Sequence, residues 1–160
     1  MSRDRQLDRR TVVSGLAAAG ALAALPSSLH ALGEYAAPPQ PSQKLRIACI
    51  GVGGMGHSDV RGVSGEQLVA FADVDWRSAE RAFREFPQAK RYKDFREMLE
   101  KERNNIDAVT VSTPDHTHAV AAMMALKMGK HVYCQKPLAR TIGEVRALQA
   151  EAARRPRQVT

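Results

Sequence analysis

The sequence predicts an α/β fold in which a doubly wound, parallel sheet carries helices on both faces. Three observations predict it. Short apolar runs alternate with longer amphipathic segments along the chain, and the connections between them are short. A glycine-rich turn directly follows the first apolar run. Such alternation is typical of βαβ units, whose right-handed crossovers place the strands parallel.

The first predicted strand, Leu45–Ile50, is mostly apolar, as expected of a strand buried on both faces. It leads into the run Gly51–Gly56, which fits G-x-G-x-x-G. Gly51 permits a tight turn, Gly53 lets a pyrophosphate approach the backbone, and Gly56 lets the next helix pack close to the strand.

The helix that begins near Met55 presents free N–H groups and a partial positive charge to a phosphate. The second strand, Gln67–Ala72, ends at Asp73, twenty positions after Gly53. A carboxylate there can accept hydrogen bonds from ribose hydroxyls. Strand, glycine turn, helix and acid together favour a Rossmann-type dinucleotide site over a purely structural turn.

The remaining elements follow from apolar periodicity and from capping and breaking residues. The predicted helices are Arg77–Phe86, a segment capped by Asp94, Thr117–Met128 stopped by Gly129, and a segment opened by Thr141 and Glu144. The predicted strands are Ala89–Tyr92, Asp107–Ser112, His131–Cys134 and a last strand beginning within Arg157–Thr160.

Two further motifs follow predicted strands, at the sheet edge where ligands bind in this fold class. In Thr113–His118, Pro114 suits a turn and Asp115 is expected to cap the next helix. The segment is expected to line a cofactor; a structural cap with surface histidines and a metal site are the alternatives. No cysteine or carboxylate cluster completes a metal site, so none is predicted.

The second motif, Gln135–Pro137, follows the strand His131–Cys134. A lysine in this place can hydrogen-bond a substrate oxygen and, if partly buried, transfer a proton. An ordinary surface lysine is the alternative for Lys136. Gln135 can hydrogen-bond a ribose but cannot act as a base.

The first residues have the pattern of an export signal. Arg9 and Arg10 precede an Ala/Gly/Leu run over residues 14–25 that is short for a membrane span. Adjacent arginines favour the twin-arginine route to the periplasm; a surface helix or a retained anchor is the alternative. The predicted domains are residues 1–37 (signal and start of the linker), 38–43 (Pro-rich linker) and 44–160 (nucleotide-binding domain).

The formal net charge is +7, but basic and acidic residues are interleaved along the helices, as in Arg77, Glu80 and Arg81. Interleaving indicates solvated helix faces and argues against a nucleic-acid-binding arm. Cys49 and Cys134 both fall on predicted strands, which favours buried thiols. Whether the two would meet in an oxidised protein is left open by the sequence.

These motifs together resemble the N-terminal domain of the Gfo/Idh/MocA oxidoreductases. The matching segments are Ile50–Gly56, Phe71–Asp75, Ser112–His118 and Tyr133–Leu138. The resemblance implies a Rossmann-type domain that binds NAD, with NADP as the alternative, in an enzyme acting on sugars or polyols. It also implies a second, C-terminal domain that this chain lacks, so that the chain looks like the front part of a longer protein.

The resemblance assigns roles to single residues. It places Gly51, Gly53 and Gly56 at the pyrophosphate and Asp73 at the adenosine ribose. Met55, at the helix start, is expected beside the same phosphates on the physical argument given above. The resemblance places Thr113, Pro114 and His118 along the nicotinamide side and matches Lys136, the expected catalytic residue, to the lysine of a Glu-Lys-Pro motif near nicotinamide and substrate. Gln135 is expected to contact the cofactor through a ribose hydrogen bond. The glutamate of that motif is Gln135 here, which keeps hydrogen bonding but loses the charge.

The expected function is therefore hydride transfer by an exported, NAD-dependent oxidoreductase, which is homo-oligomeric when full-length. Two alternatives remain open: a truncated dinucleotide-binding module without catalysis, and a relative of glycosidases that recycle bound NAD. Asp73 favours NAD because its charge repels a 2′-phosphate, whereas Arg77 is placed to reach one.

Overall fold

The structure, a computed structural model, describes residues 43–155. Its strands are β1 (Arg46–Ile50), β2 (Gln67–Ala72), β3 (Lys90–Tyr92), β4 (Ala108–Val111) and β5 (His131–Cys134). Its α-helices are α1 (Met55–Gly62), α2 (Trp76–Glu85), α3 (Phe95–Lys101), α4 (Asp115–Lys127) and α5 (Ile142–Ala153), with a 3₁₀ turn at Arg103–Asn105. None of these helices is both long and apolar enough to cross a membrane.

All described strand pairs are parallel, and the order in the sheet is β3-β2-β1-β4-β5. The doubly wound Rossmann-type sheet predicted from the sequence is therefore confirmed. Ile50 at the end of β1 pairs with Ala72 of β2 and with Val111 of β4. The carboxyl ends of these three strands are consequently level, and the loops that follow them meet at one edge.

The core consists of two apolar layers, one on each face of the sheet. Alternate residues of β1 enter different layers: Ile47 and Cys49 face one, Ala48 and Ile50 the other. Phe71 of β2 is fully buried in the first layer, where its ring lies 6.5 Å from that of Phe83 and 6.1 Å from that of Phe86. Both faces of β1 are thus covered, as its apolar run predicts.

The two cysteines are free thiols on strands that do not pair. Cys49 lies on β1 and Cys134 on β5, with β4 between them. Two strand spacings amount to roughly 9–10 Å, which is beyond the Cα separation that a disulfide spans. Burial raises the pKa of Cys49 to about 12 and that of Cys134 to about 11, so both thiols stay protonated at neutral pH.

Several predicted caps are present. The Asp94 side chain accepts from the backbone N–H of Arg96, Thr141 and Glu144 form a capping box, and Gly129 has a φ of 80° after α4. The prediction that Asp115 caps α4 is wrong, because Pro114 is the N-cap residue and Asp115 is the first helical residue. Its charge there still complements the helix dipole.

A buried acid joins β3 to the end of α3. Glu102 is 4% exposed and accepts hydrogen bonds from Lys90 Nζ at 2.8 Å and from Tyr92 Oη at 2.6 Å. These bonds lower the pKa of Glu102 to about 2. Burial, together with the hydrogen bond to Glu102, raises the pKa of Tyr92 to about 12.

The expected export signal and the strand expected within Arg157–Thr160 lie outside the described residues.

Candidate cofactor site

A cleft of about 660 Å³ opens at the carboxyl edge of the sheet, where β1 lies between β2 and β4. The strand order reverses at this point, and ligands of doubly wound proteins bind there. The cleft brings together predicted site residues from distant parts of the chain. Among those lining it are Gly51, Gly53, Asp73, Thr113 and Pro114.

The glycine loop has the tight turn expected at its first position. Gly51 has a φ of 77°, and a Cβ there would lie 2.8 Å from the backbone of Ser112 and Thr113. A Cβ on Gly56 would overlap the carbonyl oxygen of Gly51, so α1 packs directly against the turn. Gly54, which the sequence motif does not single out, has a φ of 50° that L side chains rarely adopt.

Gly53 has a structural role that the sequence did not reveal. A Cβ at this position would collide with the side chain of Ser78 on α2. The glycine is therefore required for the approach of α2 to the loop, in addition to any close approach of a ligand. Only the three-dimensional packing of α2 places Ser78 here, because it follows the loop by a whole βα unit.

Two backbone N–H groups at the start of α1 are available to a ligand. Val52 and Gly53 donate to Asp73 Oδ2, and Gly56 donates to the carbonyl of Gly53. Within residues 43–155, the N–H groups of Gly54 and Met55 have no acceptor, and no side chain caps α1. Free donors at the positive end of a helix, beside glycines without side chains, are what a phosphate group binds.

Asp73 is half-buried at the end of β2 and forms part of the loop. Its Oδ2 accepts from Val52 N at 2.9 Å and from Gly53 N at 3.0 Å, while its Oδ1 accepts from Asp75 N at 2.9 Å. The carboxylate lines the cleft, as expected of a ribose ligand. Because three backbone donors fix it, the acid also holds the glycine loop in shape.

The basic residues that line the cleft differ from the one that the sequence suggested. The side chain of Arg77 is 96% exposed, pairs with Asp75 at 3.6 Å and does not line the cleft. Lys93 and Arg96, from the segment after β3, do line it. The register of β3 beside β2 brings them there.

His118 is buried, with 1% of its surface exposed. Its Nδ1 lies 2.7 Å from the carbonyl oxygen of Pro137, and its Nε2 lies 2.7 Å from that of Thr113. The ring therefore ties the loop after β4 to the loop after β5. His118 also lines a recess beside the cleft, and both of its ring nitrogens lie against backbone carbonyls, which makes it a positioning residue.

A smaller recess of about 230 Å³ shares Ser112 and Thr113 with the cleft. Its lining also includes Met55, His118, Gln135 and Lys136. Lys136 is exposed, and its ammonium has no acidic partner within the described part of the chain. Gln135 donates to Asp59 of α1, a residue that the motif analysis missed because its spacing from the glycine loop carries no recognisable signal.

The arrangement fits a dinucleotide: free N–H groups for the phosphates, a carboxylate for a ribose and, next to them, a recess with an exposed lysine. Among the residues described, no group of three His, Cys, Asp or Glu side chains is placed to hold a metal ion. Fold and site define an NAD(P)-binding Rossmann domain.

Comparison with known proteins agrees with this class. The sequence profile described as "Oxidoreductase family, NAD-binding Rossmann fold", that of Gfo/Idh/MocA, matches residues 45–160. The chain therefore belongs to the Gfo/Idh/MocA family, and residues 45–160 are its NAD-binding domain.

Its relatives include inositol 2-dehydrogenase of Gluconacetobacter diazotrophicus, 36% identical over 72% of this chain and 35% of the relative. Among solved structures, myo-inositol 2-dehydrogenase of Lactobacillus plantarum matches with a TM-score of 0.66 and 30% identity, over 72% of this chain and 35% of that one. Myo-inositol dehydrogenase of Lactobacillus casei in complex with NAD(H) and myo-inositol matches with a TM-score of 0.64 and 29% identity, over 70% of this chain and 34% of that one. The chain spans about a third of the length of the curated relatives it matches.

Proposed function

We propose that this chain provides the cofactor-binding part of an NAD-dependent dehydrogenase that oxidises a secondary hydroxyl of a sugar or polyol. The free N–H groups of Gly54 and Met55, at the glycine loop held by Asp73, carry the cofactor half of the proposal. The inositol dehydrogenases among its relatives support the substrate class. Bound nicotinamide would supply the hydride acceptor.

Lys136 is assigned to the proton side of the reaction. Oxidation of a secondary alcohol removes a hydride from carbon and a proton from oxygen. A lysine ammonium can donate a hydrogen bond to that oxygen, and its neutral amine form can accept the proton. The ammonium of Lys136 is exposed at a recess that adjoins the cleft. No acidic partner among the described residues competes for it.

NAD is preferred to NADP in this proposal because Asp73 lines the cleft where a ribose hydroxyl would lie. A 2′-phosphate would meet its negative charge at short range. Lys93 and Arg96 line the same cleft, and Arg96 is paired there with Asp94 at 2.8 Å, so a measurable but weaker affinity for NADPH is expected.

The phosphate site is tested most directly by titrating the unaltered chain and a Met55→Pro variant with NADH and comparing their affinities. Proline is favoured at the first helical position, so the substitution removes one free N–H and leaves α1 formed. Losing a donor to a charged phosphate should weaken NADH binding about tenfold, or about 1.4 kcal/mol. Met55→Ala, which keeps the N–H, is the matched control for the lost side chain.

Equal affinity of the Met55→Pro and Met55→Ala variants would show that the loop does not bind the phosphates. The proposal would be wrong altogether if the unaltered chain, shown by circular dichroism to be folded, did not bind NADH.

A non-catalytic binding module is the second candidate, favoured by His118, whose two ring nitrogens lie 2.7 Å from backbone carbonyl oxygens and are therefore not free for proton transfer. The two candidates differ in turnover. Incubation with NAD⁺ and myo-inositol should produce no NADH if the chain only binds the cofactor. Turnover abolished by Lys136→Met would instead show that the chain carries the reaction itself.

We further propose that Arg9 and Arg10 direct twin-arginine export to the periplasm. A nicotinamide dinucleotide is made in the cytoplasm, so an exported protein that needs one must fold around it before crossing. Replacement of both arginines by lysine should retain the protein in the cytoplasm, measured by cell fractionation. Unchanged periplasmic recovery would contradict the export proposal without bearing on the cofactor site.

A further inference from the structure

One acidic side chain of α1 connects the ends of two strands beside the recess. Asp59 Oδ2 accepts a hydrogen bond from Ser112 Oγ at 2.7 Å, and Gln135 Nε2 lies 3.3 Å from Oδ1 and 3.2 Å from Oδ2. Ser112 directly follows β4 and Gln135 directly follows β5. Asp59 therefore holds the ends of both strands against α1.

The oxygen of the Gln135 amide faces Lys136, the candidate catalytic residue. Gln135 Oε1 accepts from the backbone N–H of Lys136 at 2.8 Å. An ionised carboxylate only accepts hydrogen bonds, so the NH₂ of Gln135 must face Asp59 and its oxygen must face Lys136. Asp59 thus fixes the orientation of the amide, and the amide fixes the backbone at Lys136.

Charge explains why residue 135 is neutral in this chain. A glutamate in the same side-chain conformation would place a second carboxylate oxygen about 3 Å from that of Asp59, where the amide nitrogen now lies. Two carboxylates at this distance repel strongly unless they share a proton. A carboxylate at residue 59 and an amide at residue 135 are therefore complementary, and either change alone removes the match.

We propose that Asp59 is a positioning residue that acts through Gln135 on Lys136, and that it carries the negative charge which the Glu-Lys-Pro motif has at residue 135. The role of this positioning in hydride transfer rests on the proposed function. The hydrogen-bonded chain itself, from Ser112 through Asp59 and Gln135 to Lys136, involves only groups of the protein.

A charge-exchange square tests the proposal on the whole chain. Its members are the unaltered protein, Asp59→Asn, Gln135→Glu, and the double variant in which the charge has moved from residue 59 to residue 135. Each is measured for the folding equilibrium constant by urea unfolding, for hydrogen exchange of the Lys136 backbone amide by NMR, and for NADH affinity.

Each single variant should lower the folding equilibrium constant about tenfold, and the double variant should recover most of that loss, because contacting partners couple in such cycles. Exchange of the Lys136 amide should speed up at least about threefold in Gln135→Glu and return toward the original rate in the double variant. A role in packing alone would not produce recovery at that one amide.

Additive losses in the double variant, or an unchanged Lys136 amide in every member, would overturn the proposal. If a single variant does not fold, folding of the double variant supports the coupling and its failure to fold contradicts it. Urea unfolding and amide exchange need no ligand, so they decide this inference even if NADH does not bind. Failure of NADH binding alone would count only against the proposed function.

Discussion

One carboxylate oxygen of Asp73 lies 3.0 Å from the backbone nitrogen of Gly53, across the interval of a complete helix and strand. The acid at the end of β2 thereby closes the turn that follows β1. The same residue is expected to bind a ribose. Its carboxylate therefore shapes the glycine loop as well as lining the cleft.

The first prediction concerns cofactor choice. Asp73→Asn keeps an oxygen that can accept from the loop but removes the negative charge. The ratio of the NADPH to the NADH dissociation constant should fall about tenfold, since one unit charge near a phosphate is worth at least about 1 kcal/mol. Fluorescence titration with both cofactors measures it. Glu80→Gln, on the exposed face of α2, is the control; an unchanged ratio would remove Asp73 from the ribose site.

The second prediction separates packing from ligand contact at Gly53. Gly53→Ala should destabilise the fold by about 2 kcal/mol because the new Cβ overlaps Ser78. In a Ser78→Gly background the loss should shrink by about 1 kcal/mol, since the overlapping side chain is gone. Urea unfolding of the four members measures this coupling. Equal losses in both backgrounds would show that Ser78 does not explain the glycine.

The third prediction concerns His118. In His118→Leu the carbonyl oxygens of Thr113 and Pro137 lose the ring nitrogens that lie 2.7 Å from them. Unfolding free energy should fall by about 2 kcal/mol, and NADH binding should weaken because the loop after β4 is no longer fixed. Val120→Ala, on the exposed side of α4, is the control for the helix. A loss no greater than that of the control would contradict the positioning role.

The fourth prediction concerns pH. The pKa of Glu102 lies near 2 in the folded protein, below its ordinary value of 4.5. Because the folded-state pKa is depressed, its stabilisation is present above about pH 4.5 and is lost as the pH falls toward 2. Glu102→Gln should therefore cost about 2 kcal/mol at pH 7 and much less near pH 3. Urea unfolding at both values, with Glu100→Gln as control, checks this; a pH-independent difference would contradict it.

Local patterns predicted most of the fold. The apolar run Leu45–Ile50, the glycine turn and the helix stop at Gly129 each act within a few residues, so they can be read from spacing alone. The Asp115 cap was misplaced because two successive residues, Pro114 and Asp115, are both compatible with a helix start.

The contacts that shape the site were less accessible to sequence reasoning. Asp59 meets Gln135 across 76 positions, and Ser78 meets Gly53 through the packing of α2 on the loop. Neither pair has a characteristic interval, because the distance along the chain depends on how many βα units intervene. Motifs identified the strand ends that form the site; only the sheet order determined which side chains meet there.

The position of β1 between β2 and β4 has a consequence for the measurement of ligand binding. Gly51 and Thr113 border the same cleft, so a bound dinucleotide would bridge both halves of the sheet. Such a ligand stabilises the native state as a whole, by about 2.7 kcal/mol at a hundredfold excess over its dissociation constant. The melting temperature of this small domain should then rise by several degrees, which makes thermal shift a practical screen for its cofactors.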